Sequence, residues 1–190
     1  MRAGPVLPGC LPPEQPWLSL DYNELSGVWL WPDVVASLRI VFRLFLRGCG
    51  LQAVPSALCA MTQLQELDLN DNQLSSLPDK LTQLQGLKVL HLRGNRLSFS
   101  PAPNAVLSRL VALEKLDVSQ QLVPVCIIGP LRCVPALLKL RVLNITQDRF
   151  APAVMVLIDS LVLTLQQQCQ EGLRDQPPVL RIHESIDASA

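Results

Sequence analysis

Residues 64–74 read LQELDLNDNQL and residues 87–97 read LKVLHLRGNRL, two stretches set 23 positions apart that agree at every leucine and at one asparagine. Within each, a pair of leucines flanks one polar residue, Leu67 and Leu69 around Asp68, Leu90 and Leu92 around His91. That alternation is what a short strand with one buried face requires. The same spacing recurs before and after: Leu44, Leu46, Cys49, Leu51 on one side, then Leu116, Val118, Gln121, Val123 and Leu143, Ile145, Asp148, Phe150 on the other. A fainter copy is Leu18, Leu20, Asn23, Leu25. Self-similarity at a fixed period of this length marks a chain built by stacking one small unit on the next.

Each unit has a local physical reading. After the strand the chain turns inside the stack, where backbone N–H and C=O groups still need partners. A side-chain amide offers both donors and an acceptor, so Asn72 and Asn95 are expected to form a hydrogen-bonded ladder between rungs, with Cys49 a weaker member. Past the turn, Leu77-Pro78-x-x-Leu81-x-x-Leu84 and Val54-Pro55-x-x-Leu58-x-x-Met61 place apolar residues every third position, which suits 3₁₀ or short helical segments on the back of the stack. No single rung can bury its own leucines, so burial comes from stacking.

With the leading positions Val41, Leu64, Leu87, Leu113 and Leu140, the pattern is L-x-x-L-x-L-x-x-N/C-x-L, and residues 17–150 resemble the leucine-rich-repeat superfamily. The resemblance implies an α/β solenoid with a curved parallel sheet on its concave face, 3₁₀ or short helices on its convex face and five to six repeats. It also implies a protein-binding module, an adaptor or scaffold in intracellular signalling or complex assembly.

Composition narrows the function classes. Sixteen basic and sixteen acidic residues cancel, which leaves no net field to steer the chain to nucleic acid or an anionic membrane. Another protein is therefore the expected partner. The apolar runs 28–46 and 151–165 are interrupted by charges and fall short of the roughly 18 to 20 residues of a membrane helix. The leader 1–16 carries Pro5, Pro8, Pro12, Pro13 and Pro16, reads as disordered, and is too broken for the apolar stretch of a secretory signal. Six cysteines are scattered without a CxxC pair, as in a reduced intracellular protein, cytoplasmic or nuclear. In that compartment the sequon Asn144-Ile145-Thr146 is a coincidence of sequence.

Residues 151–190 are expected to hold a capping helix, with Val154, Leu157, Ile158, Leu161 and Leu165 at helical spacing and Gly172 as its stop, then a polar tail. Val179, Leu180 and Ile182 could add an edge strand. Two stretches fit the repeat poorly. WPDVVASLRIVFRLFL (31–46) is dense enough for helix or strand, and VPVCIIGPLRCVP (123–135) lengthens the period and reads as an irregular back segment or a binding loop.

Outward positions of successive strands should align in columns about 4.8 Å apart. One column reads Phe45, Asp68, His91, Asp117, Asn144 and the next Arg47, Asn70, Arg93, Ser119, Thr146. Phe42, Phe45, Arg47, Asp68, Asn70, His91, Arg93, Asp117 and Ser119 are the expected partner-contact residues, because aromatic and arginine side chains beside polar groups suit an interface. Phe42 or Phe45 could equally pack beneath a segment holding Trp17, Trp29 and Trp31. A histidine between two carboxylates raises a rival reading, a metal-dependent or enzymatic centre at Asp68, His91 and Asp117. A plain charge ladder explains the same residues, and no second His or Cys ligand accompanies them. GxSxG, GxxxxGK[ST], HExxH and GxGxxG are all absent, so no catalytic residue, resident metal or cofactor is expected. A third reading, a divergent structural fragment, would account for Gln121, Asp148 and the long insertion without any partner.

Overall fold

The computed structural model describes residues 16–26, 38, 40–97, 106–121, 133–147 and 152–184. Among them seven strands form one parallel sheet in sequence order: β1 (Trp17–Ser19), β2 (Arg43–Phe45), β3 (Glu66–Asp68), β4 (Val89–His91), β5 (Lys115–Asp117), β6 (Val142–Gln147) and β7 (Val179–Glu184). One row of leucines, Leu18, Leu44, Leu67, Leu90, Leu116, Leu143 and Leu180, runs across all seven in register. A slip of one residue would turn that row out to solvent, so the hydrophobic pattern itself fixes the pairing.

The leading positions Val41, Leu64, Leu87, Leu113 and Leu140 join the strand leucines in a continuous aliphatic core, together with Leu58, Met61, Leu81 and Leu84 from the back of the stack. The three-residue apolar spacing becomes 3₁₀ turns at Leu58–Ala60, Asp79–Gln83 and Val134–Ala136. Bonds such as Leu81 N–H to Pro78 O at 2.9 Å and Leu84 N–H to Leu81 O at 3.0 Å close them. The fold is thus the α/β solenoid that the repeats imply.

The turn after each strand repeats one backbone feature. Tyr22, Gly48, Asp71, Gly94 and Gln120 occupy the same place in successive rungs, and all have positive φ, from 51° to 68°. Glycine takes this conformation without steric cost. At Gly48 it is also needed for space, because a Cβ would lie 2.6 Å from the Tyr22 ring of the preceding rung.

The amide ladder follows that turn. Asn72 Nδ2 donates to the carbonyls of Leu46 (2.8 Å), Leu69 (3.0 Å) and Asn70 (3.1 Å), and its Oδ1 accepts from the Cys49 and Leu51 N–H groups. Asn95 Nδ2 donates to Leu69, Leu92 and Arg93, and its Oδ1 accepts from Leu74 N–H. The Cys49 thiol donates to Leu20 O at 3.1 Å, but a thiol cannot offer the matching acceptor with comparable strength. Gln121, which breaks the sequence pattern, continues the ladder: its Nε2 donates to Leu92 O at 2.8 Å and its Oε1 accepts from Leu97 N–H at 3.0 Å. Asp148 lies outside the described residues, as do Trp29, Trp31 and 122–132 of the irregular middle.

Helix α1 (Pro152–Gln170) connects β6 to β7 and lays Leu161 and Leu165 on the end of the core. It stops where Gly172 adopts φ +70°, with Gly172 N–H bonded to Cys169 O and Leu173 N–H to Gln168 O, the reciprocal pair of a Schellman end. The polar tail begins later than its composition suggests, since β7 runs to Glu184 and extends the sheet by a full strand. Just before it, Arg174 is only 5% exposed. Its guanidinium donates to the carbonyls of Leu140 (3.0 Å), Val134 (3.2 Å) and Leu137 (2.8 Å), closing the back of the last turn. Among the described residues, no helix is long and apolar enough to cross a membrane.

Candidate functional site: the open face of the sheet

Strand alternation sends one set of side chains into the core and the other onto the open face. The register aligns Ser19, Phe45, Asp68, His91, Asp117, Asn144 and Arg181 in one column, and Trp17, Arg43, Glu66, Val89, Lys115, Val142 and Val179 in a second. Lateral ion pairs join parts of this surface: Arg43 Nε to Glu66 Oε2 at 3.6 Å, and Arg141 Nε to Glu114 Oε2 at 4.0 Å. Such exposed pairs contribute at most about 1 kcal/mol each. Phe42 is exposed and Phe45 half-buried beside this face, and Trp17 on β1 stands next to Arg43 in register.

Several residues that look like contact groups in sequence turn out to brace the turns. Ser119 is 2% exposed, and its hydroxyl and N–H both donate to Asp117 Oδ1, at 2.6 and 3.0 Å. A partner cannot reach a hydroxyl so placed, and its role is to hold the carboxylate. Asn70 Oδ1 accepts the Arg93 N–H at 2.8 Å, tying one rung to the next. Arg47 is bound to Asp71, with Nε and Nη2 at 2.8 and 2.7 Å from Oδ2, and lies 5.7 Å from the centre of the Tyr22 ring. Arg93 Nε donates to Gln120 Oε1 at 2.9 Å. The arginines therefore run along the turn edge, engaged within the chain, and the middle of the face belongs to Asp68, His91, Asp117 and Asn144.

Asp68 and Asp117 sit in different electrostatic settings. Burial pushes Asp68 above the ordinary carboxylate value of 3.8, outweighing the Asn70 N–H at 2.8 Å and the field of His91. Burial acts on Asp117 in the same sense, but hydrogen bonds from Ser119 and from Asn144 Nδ2 at 2.9 Å overcome it and hold this carboxyl below 3.8. A carboxyl with a lowered native value adds stability that is full above the unfolded value and disappears as pH falls through the native one. A raised value does the reverse: the ionised Asp68 costs stability at neutral pH, and the cost vanishes below about 3.8.

Opposite effects are therefore expected at pH 7. Asp68→Asn, which keeps an acceptor for Asn70 N–H, should raise the melting temperature. Asp117→Asn, which sets one NH₂ group against another at Asn144, should lower stability by about 2 kcal/mol. Thermal melts from pH 3 to 8 would check this, with both differences from wild type shrinking in acid. Shifts of the same sign at pH 7 would contradict it.

The metal reading finds little support in this geometry. No ion pair joins His91 to either carboxylate among the described residues, and no group of three His, Cys, Asp or Glu side chains there could hold an ion. The oxygens of Asp117 are already engaged by Ser119 and Asn144. Among the described cysteines, Cys49, Cys59 and Cys133 are buried; burial pushes all three thiols up, Cys133 to about 12, so none is a ready nucleophile. Asn144, the sequon residue, is 7% exposed with its amide spent on Asp117, which hides it from a modifying enzyme in the folded protein.

Comparison with known proteins agrees with the rung-by-rung geometry. Residues 62–122 match the family model described as leucine rich repeat. That segment is built of leucine-rich repeats. No curated protein matches it by sequence. Among solved structures, an internalin (inlF) from Listeria monocytogenes is similar with a TM-score of 0.53 at 18% identity, over 90% of this chain and 43% of the internalin. A TLR13–ssRNA13 complex gives a TM-score of 0.51 at 23% identity, over 67% of this chain and 16% of that one. A leucine-rich-repeat protein of Leptospira interrogans gives 0.44 at 19% identity, over 70% and 45%. The chain thus spans less than half the length of each of these proteins, and at such identities the first two show likeness of fold alone.

Proposed function

We propose that this chain is a non-catalytic binding module that engages another protein through the open face of its sheet. The reading places it in the cytoplasm as an adaptor or scaffold in signalling or complex assembly. One observation carries the proposal: seven strands in unbroken register hold two columns of polar, charged and apolar side chains on a rigid backbone. Rigidity matters because side chains fixed before binding lose less entropy on association. Leucine-rich repeats commonly serve in protein–protein interaction, and the open face here supplies polar, charged and aromatic groups side by side.

The expected result concerns capture of a protein partner from cell lysate, identified by mass spectrometry. Phe45→Glu with Lys115→Glu, both on the open face, should reduce recovery of that partner at least about tenfold. Val111→Glu, an exposed site on the back, should leave recovery unchanged. Equal recovery with the face variant would refute the reading, provided its circular dichroism melt matches wild type. Arg47 and Arg93 are poor choices for this test, because their bonds to Asp71 and Gln120 hold the turn edge.

A further inference from the structure

The carboxylates on the strand side of the solenoid fall into two classes. Glu66 and Glu114 each have an arginine of a neighbouring rung beside them, Arg43 and Arg141. Asp68 and Asp117 have no cation within ion-pair distance among the described residues, although both are half-buried. Lys115 stands on the same strand and face as Asp117 and forms no ion pair with it. Next to Asp117, Asn144 is more than nine-tenths buried, and its Oδ1 has no hydrogen-bond donor. The orientation of that amide is fixed by the bond from Nδ2 to Asp117 Oδ2 at 2.9 Å, so the unmatched atom is an acceptor. A buried acceptor without a donor loses the bonds to water it had in the unfolded chain and gains none in return.

Asp68 and Asp117 thus lack a charged donor and Asn144 Oδ1 lacks any donor, so these three residues call for donors, preferably charged ones. We infer that the column from Asp68 through His91 to Asp117 and Asn144 receives two arginine side chains of a protein partner, one on Asp68 and one on Asp117 with Asn144. The inference rests on the open face being the binding surface, and it specifies the chemistry of the occupant. Asp68 and Asp117 lie two strands apart, roughly 10 Å. Residues i and i+3 of a polyproline II segment lie on the same face of its three-residue turn, about 9 Å apart. A segment in that conformation crossing the strands over His91 thus sets its first and fourth side chains above the two carboxylates. At the second position a guanidinium presents a planar fork of N–H groups that spans two acceptors, which a lysine ammonium does not.

The test uses the whole chain and a defined probe, the peptide acetyl-Arg-Gly-Gly-Arg-amide, titrated while backbone amide shifts are followed by NMR. Its control is the same peptide with citrulline, uncharged and nearly isosteric, in place of both arginines. The expected outcome is saturable shifts centred on residues 66–70, 89–93, 115–119 and 142–145, no such shifts with the citrulline peptide, and roughly tenfold weaker binding to Asp68→Asn. That variant is expected to fold at least as well as wild type, so its loss of binding cannot be put down to unfolding. Equal shifts with the two peptides, equal affinity of Asp68→Asn and wild type, or shifts centred elsewhere would each overturn the inference. If the peptide fails while the face variant Phe45→Glu with Lys115→Glu still loses its captured partner, this inference falls alone. If that variant captures normally, the binding-face reading falls as well.

Discussion

Replacing Arg174 by methionine should lower stability by about 3 kcal/mol, despite the removal of a charge that is expensive to bury. The guanidinium reaches three carbonyls at once, those of Leu140, Val134 and Leu137. Two of them keep a second donor when it is gone, Leu137 N–H on Val134 O and Leu140 N–H on Leu137 O. Leu140 O keeps none among the bonds seen, and all three lose a charge-assisted bond. Burial pulls the Arg174 value down, as expected for a cation held by carbonyl dipoles in place of a carboxylate. For a domain of this size the expected drop in melting temperature is roughly 10 °C. Arg174→Lys should recover only part of it, because three rotating donors on one nitrogen cannot span the same carbonyls. A methionine variant melting within about 2 °C of wild type would show that the carbonyls find other partners and that Arg174 does not close the stack.

Asn72→Leu should cost at least about 3 kcal/mol, and more than the same change at Cys49. Asn72 makes five hydrogen bonds that tie its own turn to the turn of the preceding rung. Leucine fills the space but strands the Cys49 and Leu51 N–H groups in the core, where water cannot serve them. Cys49 offers a donor to Leu20 O and little acceptor capacity in return, so Cys49→Leu removes much less. Chemical denaturation of both variants measures the difference, and equal losses would contradict the ladder as a source of stability.

The parts of this molecule that sequence discloses are those where a residue acts on its own rung or an adjacent one. Leu67 and Leu69 announce a strand, and Pro78 with Leu81 and Leu84 announces a 3₁₀ turn, because the relevant contacts recur at a fixed period. Gln121 looks like a defect only if the ladder is read as asparagine. Read as any side-chain amide, it fits, with one extra methylene taken up by the turn. Arg174 is invisible by the same logic, since it occurs once and its partners lie 34 to 40 residues away. Strand alternation alone points Ser119 and Asn70 outward, whereas the turn that follows bends them onto Asp117 and Arg93. A pairing of Arg47 with Asp71, one residue more than the repeat period, is a signal that a search along columns alone passes over. The candidate site is therefore legible as a surface, while the distinction between residues that support it and residues left with unmet demand needs three dimensions.

The most direct measurement of the central claim is site-specific photocrosslinking in cells. A benzoylphenylalanine is placed in turn at Asp68, His91 and Lys115 on the open face, and at Lys80, Arg109 and Lys139 on the back. Binding through the sheet predicts that the three face positions yield one common cross-linked protein and that the back positions do not yield it. Cross-links to a common protein from the back positions, with none from the face, would contradict the account.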